Sequence, residues 1–260
     1  MSTAEEAIRT IDLNADVGES LGPWPMGVDE ALAPLVSSVN IACGAHAGDP
    51  ATILRTALLA AKHRVAIGAH PGYPDLVGFG RRELEMSAAD LRASVIVQIA
   101  AVQAAAHVAG AVIRHVKPHG ALYNRSARDP VVAATIAGAV REVGPGLILV
   151  GLAGSASVAA GRAAKLAVAD EAFADRRYEP DGSLRSRLLP GALLDADAAA
   201  TQALSIARDG MVITGDGTTI AVRADTICIH SDSPGALEIA EAVVGALRSA
   251  GFRIAHRLDA

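Results

Sequence analysis

Apolar residues fall along this chain in two alternating rhythms. Near-continuous apolar runs occupy residues 11–17, 38–43, 65–69, 113–117, 147–152, 166–169 and 226–230. They are too short for helices and are bounded by glycine, proline or polar clusters, which is the pattern of buried strands. Between them the spacing lengthens to one apolar residue every three or four. Ser87 and Asp90 open a capping box, Leu91, Val95, Ile99 and Val102 share one face, and Gly110 closes the stretch. Leu237, Ala240, Val244 and Leu247 repeat the pattern before Gly251. Asp49-Pro50, Asp129-Pro130 and Ser233-Pro234 each set a capping side chain ahead of a proline at the first helical position.

Apolar strands alternating with helices predict a parallel sheet covered on both faces. Seven βα-like units favour an α/β fold with one domain over residues 1–260, a seven-stranded (β/α) barrel resembling a TIM barrel; an open doubly wound sheet is the other arrangement. Two segments interrupt the alternation. Residues 211–222 read as an inserted β-hairpin around Gly215-Asp216-Gly217. Glu179-Pro180-Asp181-Gly182 reads as a turn leading into a polar arm, residues 183–194.

Composition narrows the function. A fifth of the residues are charged and the net charge is −5, with no basic block, which sets nucleic acid aside as a partner. Cys43 and Cys228 sit in apolar runs without CxxC spacing, as reduced core thiols do. The first residues carry no basic start followed by an apolar stretch, and the alanine-rich stretch near 95–112 is broken by Gln98, Gln103 and His107. The expectation is a cytoplasmic protein without a membrane span. Of seven aromatic residues, Trp24, Tyr73, Phe79, Tyr123, Phe173 and Tyr178 lie in or just after segments dense with His, Asp, Arg and Gly. Rings beside convergent charges are what a small-molecule pocket needs.

In either α/β architecture ligands gather at the carboxyl ends of the strands, and the polar clusters fall there. Asp12, Asn14 and Asp16 share one face of the first strand, with Glu19 beyond it. The second strand leads to Asn40, His46 and Asp49, the last read as a helix cap; the third leads to His70, Tyr73, Phe79, Arg81 and Arg82. His115, Lys117 and His119 alternate in phase on the fourth, followed by Tyr123 and Asn124. Asp170, Glu171, Phe173, Asp175 and Arg176 follow the sixth, and His230 and Asp232 the last. Polar groups facing a barrel interior are costly unless bonded or functional. An inward lysine would be desolvated, placed to hold an anion or to act as a base. His63, His107 and His256 fall in helix or tail patterns and read as structural or solvent-facing.

No GxxxxGK(S/T) loop and no GxGxxG after a strand is present, so a nucleotide would bind by another route or on a partner. No HExxH or Cys/His zinc spacing is present either, and no metal is assigned. Asp16, His46 and His70, from separate strands, form the set that would hold a divalent ion if one binds.

Assembled in order, these motifs resemble the LamB/YcsF family over roughly residues 11–252. The carriers are DLNADVGE from Asp12, NIACGAHAGDP from Asn40, GAHPGYPD from Gly68, GFGRR from Gly78, HVKPHGALYN from His115 and FADR from Phe173. The resemblance implies a seven-stranded βα barrel related to polysaccharide-deacetylase folds. It also implies the A subunit of a 5-oxoprolinase, which converts 5-oxoproline, ATP and water to glutamate, ADP and phosphate together with B and C subunits. ATP is then a cosubstrate. Under that reading Asp16 or Glu171 is the general base on water, and His70 and His119 shuttle protons. Lys117, with Arg81 or Arg176, stabilises the anionic oxygen or phosphate, while Tyr73, Tyr123 and Phe173 wall the ring. Asn14, His46, His230 and Asp232 complete the substrate-binding set. Lys117→Ala is expected to lower turnover by orders of magnitude and leave the fold intact. The rival readings are a metal-dependent amidase or deacetylase working without ATP, and a non-catalytic lactam-binding subunit.

Overall fold

The computed structural model describes residues 9–232 and 235–256. Its elements run β1 (Thr10–Val17), α1 (Asp29–Leu32), β2 (Ser38–Ala42), α2 (Pro50–His63), β3 (Ala66–His70), α3 (Ala88–Val108), β4 (Ile113–Val116), α4 (Gly120–Arg128), α5 (Pro130–Val143), β5 (Ile148–Leu152), α6 (Ala156–Ala163), β6 (Ala167–Phe173), α7 (Ala196–Asp209), β7 (Met211–Ile213), β8 (Thr219–Ala221), β9 (Thr226–His230), α8 (Ala236–Ser249) and β10 (Arg253–Ile254).

Seven parallel strands close on themselves in the order β1-β2-β3-β4-β5-β6-β9, and pairing of β9 with β1 seals the ring. The predicted barrel is present and the open sheet is not. β10 adds two residues to the outer edge of β1, and β7 and β8 form the predicted hairpin, with Met211 opposite Ala221. Alternation then sorts the side chains. Leu13, Ala15, Val17, Val39, Ile41, Val116, Leu149 and Ile227 belong to the apolar core under the helices. Asn14, Asp16, Asn40, His115 and Glu171 are buried polar residues whose mutual hydrogen bonds cross the barrel interior, and Asp12 is buried below them against Ser37, Ser38 and Thr226.

Local rules account for most boundaries. Asp49 accepts hydrogen bonds from the N–H groups of Ala51 and Thr52, and Asp129 from those of Val131 and Val132, each ahead of a proline in the first turn. Ser87 caps α3 by accepting from the Asp90 N–H. The Ser233-Pro234 cap falls outside the described residues, and α8 is entered from Gly235. α3 is long and apolar enough, by length and composition, to cross a bilayer. Here its stripe of Leu91, Val95, Ile99 and Val102 is buried in the barrel core, and Gln98 exchanges two hydrogen bonds with the Gly72 backbone.

One strand runs further than its apolar pattern. β6 continues through Asp170 and Glu171 to Phe173, rather than stopping at Ala169. Each carboxylate is neutralised where it lands, Asp170 by Arg162 at 2.6 Å and Glu171 by Lys117 at 2.8 Å. Sequence alone does not reveal those partners. Close packing also fixes Gly68, where a Cβ would sit 2.1 Å from His115 Nε2. The glycine lets an imidazole occupy the barrel interior.

Candidate active site

The carboxyl ends of the strands open into a cavity of about 800 Å³. Asp16, Glu19, His119, Phe173 and His230 line it together with Arg81, Tyr123 and Asn124. The β5–α6 loop borders it too, and residues from Asp181 to Leu188 reach it from the arm. The arm is held by bridges from Arg176 to Leu193 and from Tyr178 to Leu184, and Gly215 of the hairpin donates to the Tyr178 carbonyl. The hairpin therefore props the segment that covers the cavity.

Lys117 is the hub beneath this surface. Its Nζ lies 2.9 Å from Asp16 Oδ1, 2.8 Å from Glu171 Oε1, 3.3 Å from Asn14 Oδ1 and 3.0 Å from Cys228 Sγ. Burial opposes its charge, yet Asp16 and Glu171 hold its pKa well above the ordinary lysine value. It is an ammonium ion, a fixed positive charge and not a base. The same pairing works on Asp16: burial would raise its pKa, but His70 and Lys117 pull it well below the usual carboxylate range.

Six inferred groups do not border the cavity, Lys117 and His70 lying just beneath its surface. Glu171 is fully buried, bonded to Asn14 and Lys117, and borders no part of the cavity. It cannot meet a water there as general base; its place is to anchor the lysine. Tyr73 is buried away from the cavity, with Arg125, Glu83 and Glu85 as its charged neighbours, so it does not wall the pocket. His46 and Asn14 also lie beneath the cavity surface.

The histidines form a directed chain. His119 Nε2 is 2.9 Å from the Phe79 carbonyl and must donate to it, which leaves its Nδ1 as an acceptor. His70 Nδ1 is 2.7 Å from the Lys117 carbonyl and must also donate. The facing pair, His70 Nε2 and His119 Nδ1, stand 3.0 Å apart and aim at one another. His70 Nε2 also faces Asp16 Oδ2 at 3.4 Å. Burial, His46 and His70 push the His119 pKa well below the usual value, so His119 is the neutral partner. Phe79 at φ 54° and Gly80 at φ 62° turn the loop sharply, and a Cβ on Gly80 would lie 2.8 Å from both His119 Cδ2 and His46 Cβ. This turn delivers the Phe79 carbonyl to His119.

Toward the mouth the charges become positive. Arg81 pairs with Asp232, which also has Arg187 at 3.8 Å. Arg176 is buried, donates to the Arg185 carbonyl, and its Nε has no hydrogen-bond partner among the described residues. Burial and the neighbouring Arg187 push its pKa down to about 10. His230 Nδ1 is held by Asp175 at 2.9 Å, and its ring stacks on Phe173. Glu19 is a site residue that the sequence pattern assigns no role. It lines the cavity 4% exposed, and burial with Asp16 and Asp232 raises its pKa well above the ordinary glutamate value. Its place in the first strand-end cluster was the available signal.

Comparison with known proteins reaches the same region of protein space. A sequence description of the LamB/YcsF family matches residues 11–259. The chain is 54% identical to the 5-oxoprolinase A subunit of Chloroflexus aggregans over 246 residues, covering 94% of this chain and 98% of that protein. It is 51% identical to the corresponding 5-oxoprolinase A subunit of Methylococcus capsulatus, covering 95% of each. The crystal structure of a lactam utilization protein from Thermus thermophilus superposes with a TM-score of 0.90 at 48% identity, over 95% of this chain and 99% of that one.

Proposed function

The chain belongs to the LamB/YcsF family, and from that premise we propose that it is the lactam-opening subunit of an ATP-dependent 5-oxoprolinase. The observation that carries this is the pairing of one ionised carboxylate, Asp16, with a ring of arginines around one cavity. A five-membered lactam is a stabilised amide, and phosphorylation of its oxygen would make the ring carbon electrophilic. Arg176 and Arg81 are suited to the phosphoryl group, since guanidinium donors match its oxygens in pairs. The chain carries no nucleotide loop, so ATP is best held by partner subunits.

In this scheme Asp16 accepts a proton as water attacks the ring carbon. Asp16, positioned by His70, returns that proton to the ring nitrogen as its bond to carbon breaks. The product of that step is an acyl phosphate, which a second water hydrolyses to glutamate and phosphate. Lys117 keeps Asp16 ionised and fixed in place. Tyr123 and Phe173, packed edge to face, form the apolar wall for the ring. Trp24, Val77 and Leu188 stand exposed on loops beyond the strand ends, and this apolar rim suits the docking of B and C subunits.

The test is reconstitution with the partner subunits and measurement of ATP hydrolysis with and without 5-oxoproline. Oxoproline-dependent hydrolysis that Asp16→Asn abolishes supports the scheme. Opening of oxoproline at the same rate without ATP would replace it with a metal-dependent amidase, and failure of this chain to alter the partners' ATP hydrolysis would leave it a binding subunit.

A further inference from the structure

Two side chains at the cavity floor carry polar atoms that the fold leaves unanswered among the described residues. His46 is 1% exposed, and neither ring nitrogen meets a hydrogen-bond partner among the described residues. Glu19 is 4% exposed and its Oε2 is likewise alone. Buried polar atoms without partners cost on the order of 1–3 kcal/mol each, so their convergence at one place calls for a ligand. His119 completes the group: its Nδ1 is 3.8 Å from Glu19 Oε1, and its ring stacks on His46 with centroids 3.8 Å apart. One donor atom from each of the three lies within 4.8 Å of the others.

We infer that Glu19, His46 and His119 form a binding site for one divalent transition-metal ion, such as Zn²⁺. The donor set is two imidazoles and one carboxylate, which suits zinc, cobalt or manganese over magnesium or calcium. The outer contacts are those of a metal site as well. His119 is locked by its bond to the Phe79 carbonyl, which fixes its tautomer and aims Nδ1 inward. His70 faces the same nitrogen with its own Nδ1 locked on the Lys117 carbonyl, and so adjoins the site as a further donor. Asp16, Asp232 and Asp29 set negative charge around Glu19, opposed by Arg81 alone among its named neighbours. The site differs from the set read from strand spacing: His46 is retained, while Glu19 and His119 take the places given to Asp16 and His70. Asp16 instead belongs to Lys117 and Asn40.

An ion here would stand beside Asp16 on the cavity floor, where it would polarise a carbonyl or lower the pKa of a bound water. The inference does not depend on ATP coupling, and its test reads metal binding directly. The full chain is stripped with chelator and titrated with Zn²⁺, Co²⁺ and Mn²⁺. Bound metal is followed by elemental analysis, visible absorption of the cobalt form and the ion-induced rise in Tm. One ion per chain is expected, with affinity reduced at least tenfold in Glu19→Gln and in His46→Ala. Circular dichroism of the metal-free variants checks that they fold. Should His46→Ala fail to fold, Glu19→Gln and the cobalt spectrum of the unaltered chain, which reports nitrogen ligation, decide the matter. No bound ion with any of the three metals, or equal binding by the variants, would overturn it.

Discussion

Asp12 and Asp16 stand four residues apart on one strand and one face, and their surroundings are opposite. Asp12 accepts from three hydroxyls, Ser37 at 2.7 Å, Ser38 at 2.8 Å and Thr226 at 2.5 Å, and has His256 Nδ1 at 3.5 Å. Asp16 is met by an ammonium, an amide and a histidine, and it opens on the cavity. Below, hydroxyls and one histidine close the barrel end, away from the cavity. Above, the partners are themselves charged or titratable, and several polar atoms lie free. The same residue type thus serves architecture at one level and chemistry at the next, and its partners decide which.

The largest expected effect falls where the two levels join. Lys117→Ala strands the buried carboxylates of Asp16 and Glu171, and breaking such a pair from one side costs about 3–5 kcal/mol. Turnover should vanish, and the urea midpoint should fall with it. This revises the expectation that the fold survives unchanged, because the lysine neutralises two carboxylates at once. A variant with unaltered stability would mean that one of those carboxylates is neutral in the folded chain.

Next comes a direct contrast between the levels. Asp16→Asn keeps the shape and an acceptor for Asn40, and it should lower turnover by about 10²–10⁴-fold with little change in stability. Asp12→Ala should do the reverse, costing about 1–3 kcal/mol while the folded enzyme retains its kcat. Steady-state kinetics and urea titration of both variants give four numbers, and a crossed pattern would collapse the distinction. A smaller effect is expected at the rim. Arg176→Gln should raise the KM for 5-oxoproline about tenfold while kcat moves less, since it removes one donor from a site that keeps Arg81 and Arg187 nearby.

How much of this was legible beforehand follows the same division. Barrel, hairpin and two of the three proline-marked caps could be read because apolar period and local capping chemistry determine them, as at Asp49 and Asp129. Convergence of Asp16, His70, Lys117 and His119 was legible from strand phase, which is a local property too. What escaped depends on depth and on partners distant in sequence. Nothing near Glu171 reveals that Lys117 seals it from the cavity, or that Tyr73 turns toward Arg125. Glu19 lies just past the end of its strand, outside the alternation that flagged its neighbours, and only closure of the barrel brings it to His119.

The smallest effect is the pH signature of the lower level. Burial opposes ionisation of Asp12, but His256, Thr226 and Ser37 together hold its pKa below the ordinary aspartate value of 3.8. A carboxyl whose folded pKa is depressed adds stability above its unfolded value, and that contribution disappears as pH falls toward the folded one. The loss therefore belongs below about pH 4, where the unfolded aspartate takes its proton first. Asp12→Asn removes the titrating group, so the variant should begin less stable at about pH 7 and lose less than the parent between about pH 5 and pH 2. Urea midpoints across that range make the comparison. Parallel acid limbs would place Asp12 among neutral groups, and the hydroxyl cradle would then be a hydrogen-bond network without a charge to hold.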